Sequence, residues 1–162
     1  MKLFSRFLPR LSLIPILSLS ACQRTDPAIY DCQKLLGQIQ STVTAAKDLV
    51  QAENSDTVSQ ASNFELWLQA ADTLKTGAEA ITQLPLRDAQ MKTYQSQISD
   101  IYQRQAEATY AMVKARQEKN LEAAKTAQSL SQTAGTEEQT LGKALDTYCQ
   151  TKYQTLTETT GK

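Results

Sequence analysis

Three cysteines, Cys22, Cys32 and Cys149, are the residues of this 162-residue chain best suited to covalent chemistry. A cysteine thiol can be acylated, oxidised to a disulfide, bound to a metal or used as a nucleophile. The chain contains no histidine, which removes the commonest metal ligand and the commonest general base. Acylation and disulfide formation are therefore the reactions that the sequence favours.

Carboxylates are the other candidates for chemistry, and their densest pair is Glu137-Glu138. Adjacent residues of a helix point about 100° apart, so this spacing favours a solvated helix face over an acid–base pair. The di-iron helix bundles need a Glu-x-x-His motif, which a chain without histidine lacks. No GxSxG, phosphate-binding glycine loop or HExxH motif is present either. We predict that the protein is not an enzyme and binds no metal or cofactor.

The beginning of the chain has the composition of an export signal. Lys2, Arg6 and Arg10 form a basic start without acidic residues, and residues 11–19 are mostly apolar. About 9 to 11 apolar-dominated positions are too few to span a bilayer, which takes about 20. Residues 1–21 are therefore predicted to be a signal peptide that is removed. The mature chain then has 14 basic and 17 acidic residues, a net charge of −3.

The sequence Leu-Ser-Ala-Cys at residues 19–22 resembles the lipobox of bacterial lipoproteins. In that family the cysteine becomes the first residue and carries two or three acyl chains, which anchor a protein stably. The resemblance implies a lipidated Cys22, a tether over residues 22–26, and a location on the non-cytoplasmic side of a bacterial membrane, facing the periplasm or the exterior. Gln23 after the cysteine favours the outer membrane by the enterobacterial sorting rule. The alternative is an ordinary secretory signal that is cleaved near Ala21.

Four segments of the mature chain place apolar residues at alternating spacings of three and four, which is typical of amphipathic helices. The predicted helices cover about residues 27–53, 58–83, 88–118 and 121–152. Asp26, Asp88 and Asn120 mark three of their starts. Short connections between long helices favour antiparallel neighbours. The predicted fold is therefore all-α, an up-down-up-down four-helix bundle over residues 27–153 with a polar C-terminal tail over residues 154–162.

The spacing of apolar residues also predicts which side chains face the core. In the first helix the predicted apolar seam contains Ile29, Cys32, Leu36, Ile39, Val43, Ala46 and Val50. Three tyrosines recur every eight residues along the third helix, so successive rings drift about 80° around its axis. We therefore expect Tyr94 in the core and Tyr102 and Tyr110 at its boundary.

The two remaining cysteines test this topology. Cys32 near the start of the first helix and Cys149 near the end of the fourth come to the same end of an up-down-up-down bundle. The lipoprotein resemblance implies an oxidising compartment, and acylation of Cys22 leaves two thiols to pair. We expect a Cys32–Cys149 disulfide, and the alternative is two small buried hydrophobic side chains. The end of the bundle that holds Cys32 and Cys149 would then lie near the membrane. The turns at the opposite end would lie roughly 40 Å further away.

A second resemblance concerns the later part of the chain. The sequence Leu-Pro-Leu-Arg-Asp at residues 84–88, with Met91, Tyr94, Tyr102 and a Tyr-Cys pair at residues 148–149, is similar to a group of uncharacterised secreted helical proteins of cyanobacteria. The similarity covers about two thirds of the mature chain and implies no activity. In a cyanobacterium the thylakoid lumen would be a further candidate location.

The net charge and the polar residues limit the kinds of binding partner that the sequence favours. A mildly acidic mature domain is not attracted to nucleic acid or to anionic headgroups, so acyl chains must hold it at a membrane. Trp67 is expected either to line a ligand pocket or to anchor the core, and Gln105 interrupts the apolar seam of the third helix. We expect a non-enzymatic, lipid-anchored domain that binds or braces a protein partner in the cell envelope. The alternative is a module that binds or senses a small molecule between helices, near Trp67 and Gln105.

Overall fold

The computed structural model describes residues 26–52 and 60–160, and within these ranges the chain forms four α-helices and no strand. The helices are α1 (Pro27–Ala52), α2 (Gln60–Thr82), α3 (Ala89–Gln117) and α4 (Leu121–Thr160). The predicted all-α four-helix bundle is confirmed. The predicted signal peptide, the lipobox with Cys22 and the connection over residues 53–57 lie outside the described residues. None of the described helices combines the length and the apolarity that crossing a membrane requires.

Capping side chains fix three helix starts at the positions that the sequence predicts. Asp26 and Asp88 each accept a hydrogen bond from a backbone amide of the following first turn, at 3.0 and 2.9 Å. Asn120 does the same for α4 at 3.1 Å. Just before it, Lys119 adopts a left-handed conformation with φ of 55°, and the next amide returns to a carbonyl of the last turn of α3. These contacts produce the sharp reversal between α3 and α4.

The C-terminal boundary differs from the prediction. The sequence predicts a polar tail over residues 154–162, but α4 continues to Thr160. No glycine or proline interrupts the chain between Gly142 and Gly161, and threonine hydroxyls in the last turns bond to carbonyls four residues earlier. A polar segment without a helix breaker therefore continues as a solvated helix.

The helices pack chiefly on their neighbours in the chain, α1 on α2, α2 on α3 and α3 on α4. Contacts between α1 and α4 are sparse, although a four-helix bundle normally closes this fourth side. The large side chains that are fully buried include Leu35, Ile81, Met91, Tyr102 and Val113. The central helices α2 and α3 thus supply most of the core, and α1 and α4 lie at its two edges.

The tyrosines of α3 are buried in a different order from the prediction. Tyr102 has 1% of its surface exposed and is the largest fully buried side chain described, whereas Tyr94 and Tyr110 are half-buried. The prediction that placed Tyr94 in the core and Tyr102 at its boundary is therefore wrong. Tyr102 lies at the middle of α3, the helix that packs on both α2 and α4, so it is enclosed from two sides.

The buried face of α1 is rotated from the predicted seam. Leu35 is fully buried, whereas Leu36, Val43 and Val50 have 37%, 37% and 40% of their surfaces exposed. The predicted seam residues that are buried are Ile29, Cys32 and Ala46. Along most of its length α1 has α2 as its main neighbour, so it turns one edge of its apolar stripe toward α2. The other edge stays uncovered.

A glycine sets the close approach of α1 to α2. A Cβ atom at Gly77 would lie 2.1 Å from Cγ2 of Thr42, so a larger residue cannot fit without displacing that side chain. Thr42 is buried and donates its hydroxyl to the carbonyl of Gln38 at 2.9 Å. The close approach of Thr42 to Gly77 holds α1 against α2, beside the open fourth side of the bundle.

Candidate functional site

One end of the bundle, which we call the cysteine end, joins the first helix to the last. Cys32 and Cys149 form a disulfide between α1 and α4, with their Cα atoms 5.9 Å apart, and both residues are buried. Leu86 and Met91 pack in the same cluster, where the Met91 sulfur lies 3.7 Å from Sγ of Cys32. The predicted disulfide is therefore present, and it closes the fourth side of the bundle at this end.

Asp31, a residue that the sequence patterns did not mark, lies beside the disulfide and is fully buried. Its Oδ2 atom accepts hydrogen bonds from the backbone amides of Arg87 and Asp88 at 2.6 and 2.7 Å. Its Oδ1 atom has no hydrogen-bond partner among the described residues. The carboxylate thus fixes the connection between α2 and α3 onto α1. Its partners are 56 and 57 residues away, so no local pattern could reveal them.

A chain of polar contacts completes the cysteine end. Asp88 accepts a hydrogen bond from the Tyr148 hydroxyl at 2.9 Å, and the Tyr148 ring packs edge to face on Tyr94 with centroids 5.9 Å apart. Burial, the hydrogen bond to Asp88 and nearby negative charge raise the pKa of Tyr148 to about 12. Lys152 lies 3.7 Å from the Asp26 carboxylate. These groups satisfy one another and leave the cysteine end packed.

Away from the cysteine end, α1 and α4 are separated by an open space of about 430 Å³, which we call the α1–α4 groove. Its walls consist of Val43, Ala46, Lys47 and Val50 from α1, Trp67, Ala70 and Leu74 from α2, Tyr102, Gln105 and Thr109 from α3, and Glu138 from α4. The structure thus brings Trp67 and Gln105 together on one surface. Most of the other lining side chains are apolar.

Two polar groups of the groove, the Tyr102 hydroxyl and the Glu138 carboxylate, have neither a hydrogen bond nor an ion pair among the described residues. The Tyr102 hydroxyl is buried and has no hydrogen-bond partner among the described residues. Burial, and then the negative charge of Glu138, raise the pKa of Tyr102. Burial also raises the pKa of Glu138, which the neighbouring Tyr102 hydroxyl partly offsets. The Tyr102 hydroxyl and the Glu138 carboxylate do not meet the geometry of a hydrogen bond, so they interact only as electrostatic neighbours.

Trp67 and Gln105 themselves have partners on neighbouring helices. The Arg116 guanidinium lies over the Trp67 ring, 4.8 Å from its centroid, and Gln105 accepts a hydrogen bond from Ser131 at 3.2 Å. Trp67 is half-buried and also borders a second cavity of about 640 Å³ between α3 and α4. Leu121, which has 67% of its surface exposed, lies at the edge of this second cavity.

The paired carboxylates of α4 occupy different surroundings. Glu137 is exposed and pairs with Arg104, whose guanidinium also contacts Asp100 at 2.9 Å. Glu138 is half-buried on the groove side, which departs from the solvated position predicted for both. Within residues 26–52 and 60–160, no group of three or more cysteine or acidic side chains is placed to hold a metal. The groove itself offers a ligand mostly apolar walls and a few polar groups.

Comparison with known proteins gave no match. No family model matches the chain, and neither a curated protein nor a solved structure does.

Proposed function

We propose that this protein is a non-enzymatic module that binds an elongated apolar small molecule in the α1–α4 groove, held by an N-terminal lipid on the non-cytoplasmic side of a bacterial membrane. The observation that carries the proposal is the unfilled space of about 430 Å³ beside Trp67 and Gln105. In a closed four-helix bundle the first and last helices would pack together at this position.

The size and lining of the groove support a small ligand. Ligand sites in proteins enclose about 300 to 1,000 Å³ and combine mostly apolar walls with a few polar groups that orient the ligand. Val43 and Val50 are exposed along one wall and Leu74 and Ala70 form another, so an apolar molecule would cover surface that water now contacts. Gln105 and Glu138 supply polar groups at one side of these walls.

Fluorescence tests this function directly, because Trp67 is the single tryptophan of the chain and borders the groove. We expect the apolar fluorophore N-phenyl-1-naphthylamine to bind the secreted Cys22→Ser protein saturably and to receive energy from Trp67. Ala46→Phe, which fills the groove from α1, should weaken binding. Ala45→Phe adds the same ring at an adjacent exposed position and should leave binding unchanged. Absence of saturable binding to the unfilled groove would show that the proposal is wrong.

Lipid anchoring needs its own experiment, because it depends on Cys22. We expect the unaltered protein in the membrane fraction and the Cys22→Ser protein in the soluble fraction of the envelope, because the variant has no acceptor for the acyl chains. Retention of the variant in the membrane fraction to the same extent would contradict the lipid anchor.

A protein partner is a second candidate, which the distal part of α4 favours. Leu121 and Leu130 have 67% and 55% of their surfaces exposed, the largest exposed fractions among the large hydrophobic side chains described. Contact with a partner would remove this apolar surface from water. We expect an envelope protein to be recovered stoichiometrically with the detergent-solubilised lipoprotein and to be lost with Leu121→Ser. Repeated recovery of the lipoprotein alone would count against this candidate.

A further inference from the structure

Two polar groups of the α1–α4 groove, on Tyr102 and Glu138, lie close to each other. Tyr102 lines the groove but has 1% of its surface exposed, and its buried hydroxyl has no hydrogen-bond partner among the described residues. Glu138 faces it from α4 and is half-buried. A buried hydroxyl and a partly buried carboxylate both gain from a ligand that supplies donors at this point.

Among residues 26–52 and 60–160, no lysine or arginine side chain pairs with Glu138. Arg104 on α3 pairs with Glu137 and Asp100, which lie on the other side of the α3–α4 contact. Lys47, the other charged residue that borders the groove, is exposed on α1. Within the described part of the chain, Glu138 forms no ion pair. Its carboxylate is therefore available to a positively charged group that enters the groove.

The remaining walls determine where the apolar part of such a ligand lies. Val43 and Val50 present exposed methyl groups along α1, and Leu74 lies across from them on α2. The Arg116 guanidinium already lies over the Trp67 ring, 4.8 Å from its centroid, and its positive charge disfavours a second cation beside this ring. A ligand with a cationic head at Glu138 and an apolar chain along α1 would place a positive charge beside the carboxylate and apolar surface against the apolar walls.

We infer that the α1–α4 groove binds amphipathic amines, with the ammonium group between Glu138 and Tyr102 and the apolar chain against Val43 and Val50. An ammonium carries three donors, so it can bond the carboxylate and the phenolic oxygen together. A neutral hydroxyl head has one donor and no charge, and a carboxylate head would repel Glu138. This inference rests on the proposed function, because it names the ligand class of the same groove.

Three probes with the same eight-carbon chain, octylamine, 1-octanol and octanoate, separate recognition of the head group from apolar binding. Each is titrated at about pH 7.5 against the secreted Cys22→Ser protein loaded with N-phenyl-1-naphthylamine, and its displacement of the fluorophore is measured. At this pH an alkyl ammonium is charged. We expect octylamine to displace the fluorophore at a concentration about tenfold lower than octanol, with octanoate the weakest.

Single substitutions locate the head group. Glu138→Gln should weaken octylamine about tenfold and leave octanol unchanged, because it removes the charge and keeps the shape. Tyr102→Phe should weaken octylamine by a smaller factor. Glu107→Gln removes the same charge from an exposed position of α3 and should change none of the three affinities. Thermal unfolding of each variant confirms that it is folded at the titration temperature.

The outcomes distinguish this inference from the proposed function. If octylamine and octanol bind equally well to the unaltered groove, or if Glu138→Gln leaves octylamine binding unchanged, the assignment of an amine is overturned while the apolar site stands. If neither the fluorophore nor any of the three octyl compounds binds, the proposed function is overturned and the inference falls with it.

Discussion

The two ends of the space between α1 and α4 are built differently. At the cysteine end a disulfide joins the helices, and the buried carboxylate of Asp31 holds the α2–α3 connection against them. Further along, the same two helices part and leave the α1–α4 groove, with Val43 and Val50 exposed and Glu138 unpaired among the described residues. One pair of helices thus has a packed end and an open end.

The contrast shows how a disulfide reduces the amount of apolar packing that the fold needs for stability. A disulfide between distant positions lowers the entropy of the unfolded chain, so a fold can remain stable with less apolar surface buried elsewhere. The apolar stripe of α1 is wider than the face that α2 covers, and its spare edge borders the groove. Four predictions, from the largest expected effect to the smallest, test what stabilises the packed end and the open end.

Removing the disulfide should have the largest effect. The cysteines are separated by 117 residues, for which loop entropy sets an upper limit of about 4 to 5 kcal/mol. We expect the Cys32→Ala/Cys149→Ala protein to unfold at a much lower denaturant concentration, and reduction of the unaltered protein to have a similar effect. Unfolding by urea monitored by circular dichroism measures both. Equal midpoints with and without the disulfide would contradict this account of the cysteine end.

Asp31→Ala should destabilise the cysteine end without touching the disulfide. It leaves the amides of Arg87 and Asp88 buried without their acceptor, at a cost of about 2 to 3 kcal/mol. Asp31→Asn keeps one acceptor oxygen and should lose less. Asp48→Ala, at an exposed position of the same helix, should change stability by less than about 0.5 kcal/mol. If the Asp31 and Asp48 variants unfold at the same urea concentration, the buried carboxylate does not hold the connection.

Gly77→Ala and Gly142→Ala should change stability in opposite directions. At Gly77 the added methyl meets the Thr42 side chain at 2.1 Å, and overpacking of this kind costs about 1 to 3 kcal/mol. At Gly142 nothing lies within 4 Å, so alanine should stabilise α4 by about 1 kcal/mol through helix propensity. Thr42→Ala should restore part of the loss at Gly77. Two changes of the same sign would refute the close approach of α1 to α2.

Glu138→Gln should have the smallest effect on stability, and the size of the effect depends on pH. The pKa of Glu138 is raised in the folded state, so the ionised carboxylate destabilises the fold above that pKa and the neutral amide removes this cost. Because Glu138 is partly exposed, we expect a gain below about 1 kcal/mol near neutral pH. The gain should disappear as the pH falls through the raised pKa toward the ordinary carboxyl value of 4.5. A constant difference across this range, measured by thermal unfolding, would contradict the assignment.

Local signals in the sequence were sufficient for the elements of the fold. Asp26, Asp88 and Asn120 mark helix starts because capping involves residues within one turn. The disulfide was predicted from the order of the helices, together with the two cysteines that remain when the lipobox resemblance assigns Cys22 to acylation. The burial of Tyr102 and the role of Asp31 did not follow, because each depends on contacts with helices that are distant in the chain.

The sequence by itself thus determined that the described chain is helical, where three of its helices begin, and which end brings the two cysteines together. Apolar spacing and capping act within a few residues, so they are written locally. Only the tertiary structure decided that α1 buries Leu35 and exposes Leu36, and that Glu138 faces an open groove. A helix stripe specifies which side chains are apolar, but the number and position of neighbouring helices determine which of them are covered.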